Sequence, residues 1–392
     1  MKIAYFSPLP PLKSGVSTYS KYLIRALTRN YDLEVFHYGK CDLGNLTIHD
    51  YSAEPSSLSN LSDFDVKIYH IGNNPHFHAD IRYVMMEHPG VVVLHDAVLY
   101  YLVAGRGVGG LLREFQLSEE NPAASIYKSL SIIDDIGKKD LLRYDSPENY
   151  PLLTSVLRYA KIVIVHSNAA LESVKKSGFQ KKVVVIPPIA YPSPPLIKNK
   201  IHIKEIRSKI GVADDYFLVG VFGFIGPTKQ IKKVLATIKE LLVNNYRVKL
   251  LIVGIGDNLT PYIKKLGLTE NIILKGYVNE DDFHALFSVV DTVINLRFPS
   301  YGEASGSVLH AFSHGKPTIV SDIAWFSELP NSIVKKVPIG MNEVPELIKT
   351  LSTWIDNPNI PNDLGKAAIS YSKKHQSPEK ISDLYSKVFE ML

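Results

Sequence analysis

In the stretch 297–317, RFPSYGEASGSVLHAFSHGKP, an arginine and a glutamate flank a run of small residues that continues as a helical pattern. Ala304, Ser305, Gly306 and Ser307 let a ligand approach the backbone, and the first turn of a helix carries N–H groups with no intrahelical partner, so the stretch suits an anion. Arg297 adds positive charge. Glu303 would repel a phosphate, and it fits only if it faces an uncharged part of the same ligand, such as sugar hydroxyls. The pattern therefore asks for a ligand that is anionic at one end and hydroxylated at the other.

Other residues can serve such a ligand. In "GFIGPTKQIKK", Gly226 and Lys229 sit at a strand-to-helix turn, where lysine reaches a phosphate as a point charge or simply opens a solvated helix. In "SPLPPLKSGVSTY", Gly15 precedes a helix expected to start near Ser17 or Thr18, a phosphate-facing turn or an ordinary self-capping one. "VVVLHDAVLYY" puts His95 and Asp96 directly after an apolar strand, for chemistry or for a cap, and "YHIGNNPHFH" puts Asn73 and Asn74 in the same relation to the strand before it. His70 reads as a core residue. His76 and His78 show no third ligand at metal-site spacing and read as loop surface, so no metal is expected. Asp63 to Asp65, "DFD", stands at the N-terminal end of a strand and reads as a strand-entry turn. "IVGIGDNL" lacks the third glycine of a dinucleotide fingerprint, which argues against an NAD-linked oxidoreductase.

The elements that must position these residues are legible as short apolar runs separated by helical patterns, the signature of parallel α/β sheets. The first half holds "KIAYFSP", "LEVFHY", "VKIYHIG", "VVVLHD", "KIVIVHS" and "VVVIPP". The second restarts with "YFLVGVFGFIG" and runs through "VKLLIVGIG", "NIILKGY", "DTVINLR" and "PTIVSD". Both halves open alike, strand to loop to amphipathic helix, which predicts two doubly wound domains whose ligands lie at the strand C-terminal ends. The expected division is 1–190 for the first domain, with a helical insertion near 99–149, and 200–370 for the second. A stiff proline-rich connector spans Pro187 to Ile206, and an amphipathic segment, 371–392, is expected to pack back on the first domain.

Composition bounds the function. With 392 residues, 45% hydrophobic, the chain is expected to be a soluble two-domain protein. A net charge of +5, spread over both halves, fits acidic small molecules or contact with an anionic bilayer and does not form a nucleic-acid footprint. The single cysteine, Cys41, excludes an internal disulfide and a cysteine-built metal site. No apolar run approaches the roughly 18 residues of a membrane span, and no signal-peptide pattern opens the sequence, so a cytoplasmic location, or the inner face of a membrane, is expected.

With these pieces placed, the chain resembles the retaining GT-B glycosyltransferases, the large family that includes bacterial mannosyltransferases and sucrose synthase relatives. The resemblance rests on the glycine loop after the first strand, "LHD", the "GxxxPxK" pattern, "GYV", and the "GE" segment ending in "GKPTIVSD". It implies two Rossmann-like domains facing across a cleft and transfer of a hexose, without cofactor or metal, from a UDP- or GDP-linked sugar to a glycan, a lipid-linked acceptor or a small molecule. By the same resemblance Glu303 faces the donor sugar, Ala304 to Ser307 and Lys229 hold the diphosphate, Tyr277 and Val278 hold the base, His95 stands near the transferred sugar, and Gly15 lies near the diphosphate or acceptor. Two positions depart from the family. Phe224 and Ile225 stand where an arginine commonly precedes the lysine, and His310 and Ala311 stand where a second glutamate grips the ribose. Arg297 is the candidate replacement for the missing cation, and a GT-B-shaped binder without turnover is the competing function.

Overall fold

The computed structural model describes residues 1–41, 43–118, 124, 126, 127, 130, 131, 133, 134, 140–192 and 200–392. The chain divides into two compact units: Met1–Ile189 with Tyr301–Ala304 and Ser377–Leu392, and Ala190–Ser300 with Ser305–Gln376.

Each unit is built on one parallel sheet. In the first, the strands are β1 (Lys2–Phe6), β2 (Asp32–His37), β3 (Ile48–Asp50), β4 (Val66–Ile71), β5 (Gly90–Leu94), β6 (Ala160–Val165) and β7 (Val183–Val185), in the order β3-β2-β1-β4-β5-β6-β7. In the second they are β8 (Phe217–Phe222), β9 (Val248–Val253), β10 (Ile272–Lys275), β11 (Thr292–Asn295), β12 (Thr318–Ser321) and β13 (Lys335–Val337), in the order β10-β9-β8-β11-β12-β13. The central strands β1, β5, β8 and β9 are apolar apart from Lys2 in β1 and Lys249 in β9, as expected where helices cover both faces of a parallel sheet. The helix Ile231–Val243, for example, buries Ile231, Val234, Leu235, Ile238 and Leu241, three or four residues apart, against the β8–β11 sheet. In both sheets the order reverses once, between β1 and β4 and between β8 and β11, and a doubly wound sheet opens a ligand crevice at the carboxyl end of that reversal.

The Pro378–Phe389 helix packs within the first unit against the helix Gly15–Leu27, where the Tyr385 and Tyr19 hydroxyls lie 2.9 Å apart and Arg29 pairs with Glu379 at 2.5 Å. Part of the expected helical insertion and part of the proline-rich connector lie outside the described residues. Of the insertion, the helices Tyr100–Ala104 and Gly107–Ser118 are described.

Candidate active site

At the mouth of the second sheet, β8 leaves through Gly223 to a single 3-10 turn, Pro227–Lys229, before the helix Ile231–Val243. Two further glycines bring the neighbouring strand end close. Gly254 and Gly256 take φ of +147° and +149°, and a Cβ on either would lie about 2 Å from the Gly223 or Ile225 carbonyl oxygen. Backbone approach, rather than a dinucleotide, accounts for the glycines of "VGIGD": Gly223 N donates to Val253 O and Asp257 N to Ile225 O.

Lys229 folds back into this turn, 4% exposed, with its ammonium donating to the Phe222 carbonyl. Ser307 donates to the same oxygen at 2.9 Å. Among the described residues no carboxylate forms an ion pair with Lys229. Burial, and secondarily the Arg297 guanidinium, bring its pKa down to about 7. The Arg297 backbone N–H donates to Ser321 Oγ at 2.9 Å and its Nη1 to Thr228 Oγ1 at 2.8 Å. Phe298 N donates to Thr228 O as well, so the β8 and β11 loops are stitched together with two cations side by side. A buried lysine beside a guanidinium is an arrangement that can hold an anion.

The Gly306–Ser313 helix starts in the same loop. Ser305 occupies its N-cap, yet its hydroxyl accepts from Asn295 Nδ2 at 2.9 Å and leaves the helix without a side-chain cap. The Ser305 carbonyl takes the Val308 and Leu309 amides. The N-terminal amides of Gly306 and Ser307 thus lie beside Lys229, whose Nζ and the Ser307 Oγ both crowd Gly223. Gly226 is buried at the cap of the 3-10 turn. His310 lies one turn further along the helix, its ring 4.5 Å from Tyr191. Tyr277 is exposed and Val278 partly buried after β10, next to a cleft of about 280 Å³ lined by Ile225, Gly254, Ile255, Leu274 and Gly276. Lys316 is partly buried and donates to the Ser288 and Val290 carbonyls, so the lysine of Gly-Lys-Pro anchors the end of the helix Glu280–Val289.

In the first unit the mouth is different. His95 follows β5, its N–H bonded to the Ile71 carbonyl and its Nε2 lying 2.9 Å from His70 Nδ1. Burial, then the nearby His166, His70 and His78 rings, hold its pKa well below the ordinary value, so the imidazole is neutral at pH 7. Tyr19 meets the His95 ring edge-on at 5.0 Å and His166 lies 5.1 Å from His95. Asp96 accepts from Asn73 N at 2.8 Å, while Asn73 Oδ1 accepts from Tyr101 N. Asn74 caps the helix Pro75–Glu87 by accepting from His76 N. Both asparagines therefore hold local structure. Gly15 is exposed and itself begins its helix, capped by Ser14, so the start expected near Ser17 or Thr18 falls two or three residues earlier because the Ser14 hydroxyl accepts from Val16 N. His70 is a core residue as expected, whereas His78 departs from the loop-surface reading: it is buried in the helix Pro75–Glu87 with Nδ1 on the His70 carbonyl. Asp65 accepts from Lys2 N at the base of β4, the strand-entry role expected of "DFD".

Tyr301–Ala304 clusters with this unit. Tyr301 O accepts from Ala97 N at 2.6 Å, and Glu303 Oε2 accepts from Tyr301 N at 2.6 Å, shaping the turn. Sequence reasoning missed Thr228, Asn295 and Ser321, the polar residues that orient Arg297 and Ser305. Their only signal was a polar side chain at the end of an apolar strand, or in the turn beside Lys229. No described helix is long and apolar enough to cross a membrane.

Comparison with known proteins bears on this arrangement. No curated protein sequence matches the chain. Among solved structures, HepE of Anabaena in complex with UDP and glucose aligns over 100% of both chains at a TM-score of 0.71 and 15% identity. Sucrose-phosphate synthase from Thermosynechococcus elongatus aligns over 100% of both at 0.67 and 15%. WaaG, a glycosyltransferase involved in lipopolysaccharide biosynthesis, covers 97% of this chain and 99% of its own at 0.62 and 15%. The two parallel-sheet domains match the GT-B fold of such enzymes. Residues 202–371, which hold Lys229, Arg297, Glu303 and the Gly306–Ser313 helix, match the family described as glycosyl transferases group 1.

Proposed function

We propose that the chain is a glycosyltransferase that moves a hexose from a nucleoside-diphosphate donor, UDP- or GDP-linked, to a glycan, lipid-linked or small-molecule acceptor, with retention and without a metal at the transfer centre. The observation that carries this reading is the buried Lys229, set beside Arg297 and the uncapped start of the Gly306–Ser313 helix within the glycosyl transferases group 1 segment. Negative charge grows on the diphosphate as the glycosidic bond breaks. Two cations and a helix N-terminus stabilise it more in the transition state than in the ground state. Glu303 takes the sugar hydroxyls, and Ala304, Ser305 and Ser307 line the diphosphate with their backbone. The cleft beside Tyr277 and Val278 takes the base, and His310 meets the ribose in place of a carboxylate.

Acceptor activation belongs to the first unit. With no protein nucleophile assigned beside the donor, the departing phosphate takes the acceptor's proton and the product keeps its anomeric configuration. Asp96 as a general base, giving inversion, is disfavoured because one of its oxygens accepts from Asn73 N. His95, neutral, hydrogen-bonds the sugar or acceptor, and Gly15 lets either come close to the backbone. HepE in complex with UDP-glucose, at a TM-score of 0.70, supports a uridine donor as the first to test.

His310 at the ribose position favours a second reading, a nucleotide-sugar binder without turnover. One assay separates the two: incubation with UDP- and GDP-sugars while nucleoside diphosphate release and thermal shift are followed. A catalyst releases diphosphate and is stabilised by it. A binder is stabilised with no release, and neither signal with any nucleotide refutes both readings.

A further inference from the structure

The Glu280–Val289 helix carries His284, and the Gly306–Ser313 helix with its C-cap carries His310 and His314, four apart and so on one face. Ring nitrogens of all three lie within 4.8 Å of one another. His284 Nδ1 and His314 Nε2 are 3.1 Å apart. That is close to the separation of about 3.3 Å between two nitrogens bound roughly 2.0–2.1 Å from a tetrahedral ion.

The outer contacts orient the rings for the same purpose. His314 Nδ1 is 2.7 Å from the His310 carbonyl oxygen, which can only accept, so Nδ1 carries the proton and Nε2 presents its lone pair to the cluster. His284 Nε2 faces Glu280 Oε1 at 3.9 Å, the side from which a carboxylate steadies a ligating imidazole. His310 Nδ1 is buried with no hydrogen-bond partner. Such an atom is rare in a folded protein and asks for a missing partner. Phe283 and Phe287 pack on the rings and form an apolar shell.

We propose that His284, His310 and His314 form a three-imidazole site for a divalent transition-metal ion of the Zn²⁺ class, with one position left for water. Imidazole suits Zn²⁺, Cu²⁺ and Ni²⁺ over Mg²⁺ or Ca²⁺, which prefer oxygen. The ion ties two helices of the second unit together. One of them begins at Ser305, so metal occupancy sets how firmly that N-terminus is held. Its role is structural or regulatory, and because it shares His310 with the ribose position proposed above, its test reads metal binding rather than sugar transfer.

The test uses the full chain, freed of metal by a chelator and titrated with Co²⁺ and then Zn²⁺. One equivalent of Co²⁺ with the ligand-field bands of a four-coordinate ion is expected, displaced by Zn²⁺, which also raises the melting temperature. His284→Gln and His314→Gln should each weaken binding by more than the roughly 10–100-fold that losing an outer-shell partner costs. His76→Gln, at an exposed position of the first unit, should change nothing. Circular dichroism of the variants separates a lost site from a lost fold. An aquo-type, six-coordinate Co²⁺ spectrum for the wild type, or equal affinity in the His284→Gln/His314→Gln double variant, overturns the proposal, and the wild-type spectrum decides alone should a variant not fold.

Discussion

The two sheet mouths share a topology and differ in chemistry. Where β8 and β11 part, Lys229, Arg297 and an uncapped helix start face one another. Where β1 and β4 part, the gathered side chains are neutral imidazoles and phenols, His70, His95, His166 and Tyr19. Strand order fixes where a ligand goes, and the loops decide its charge. In the function proposed above, the first mouth takes hydroxyls and the second a diphosphate.

The strongest test of this division is Glu303→Gln. Loss of a charge-assisted hydrogen bond to the donor sugar should lower transfer by on the order of a hundredfold while nucleoside diphosphate binding survives. If Glu303 only shapes the turn at Tyr301, the change costs about 1 kcal/mol of stability and turnover stays intact, which a melting curve beside a rate assay distinguishes.

Next in size are Lys229→Ala and Arg297→Ala. Each should weaken nucleoside diphosphate by about 1.5–3 kcal/mol and leave the free nucleoside unaffected. Together they should be non-additive, since both serve one ligand. Calorimetric titration with both ligands checks this, and equal losses for diphosphate and nucleoside would remove the residue from the anion site.

A smaller effect, bounded by the Lys229→Ala loss, is expected from pH. Lys229 titrates near 7 in the free protein and must be charged to hold the diphosphate, so affinity should fall as pH rises from about 7 to 9. Stability runs the other way. The folded pKa lies below the unfolded value of 10.5, so between about 7 and 10.5 the unfolded chain holds a proton the folded chain lacks, and the ligand-free protein gains stability from this group with rising pH. Affinity measured across this range, in wild type and Lys229→Ala, should show the slope only in the former.

The smallest change is expected for His95→Gln on nucleoside diphosphate affinity, within about twofold, as for a residue not sharing the ligand's charged end. A loss as large as that of Lys229→Ala would break the contrast between the mouths.

Eleven strands are legible as apolar runs, the edge strands β7 (Val-Val-Val) and β10 (Ile-Ile-Leu-Lys) among them. The two that escaped, β3 and β13, are three-residue edge strands of largely polar residues, Ile48-His-Asp and Lys335-Lys-Val, too short and too polar to form an apolar run. In the candidate site, Lys229 and the helix start at Ser305 could be read because a lysine, glycines and small residues gather at strand-to-helix turns in the sequence itself. Thr228 and Asn295 could not, since a lone hydroxyl or amide says nothing of its partner until the chain is folded. The three-histidine cluster escaped for the same reason: His284 lies far in sequence from His310 and His314, and only the packing of two helices brings them together.

The first unit takes its closing helix, Pro378–Phe389, from beyond the whole of the second. On the ribosome this inverts the usual N-terminal-first order. At about 5–20 residues per second, the Gly15–Leu27 helix waits roughly ten to forty seconds with the Tyr19 side of its surface uncovered while residues 190–376 are made. A nascent chain of this design has reason to engage a holdase early, through the face that Tyr385 later covers.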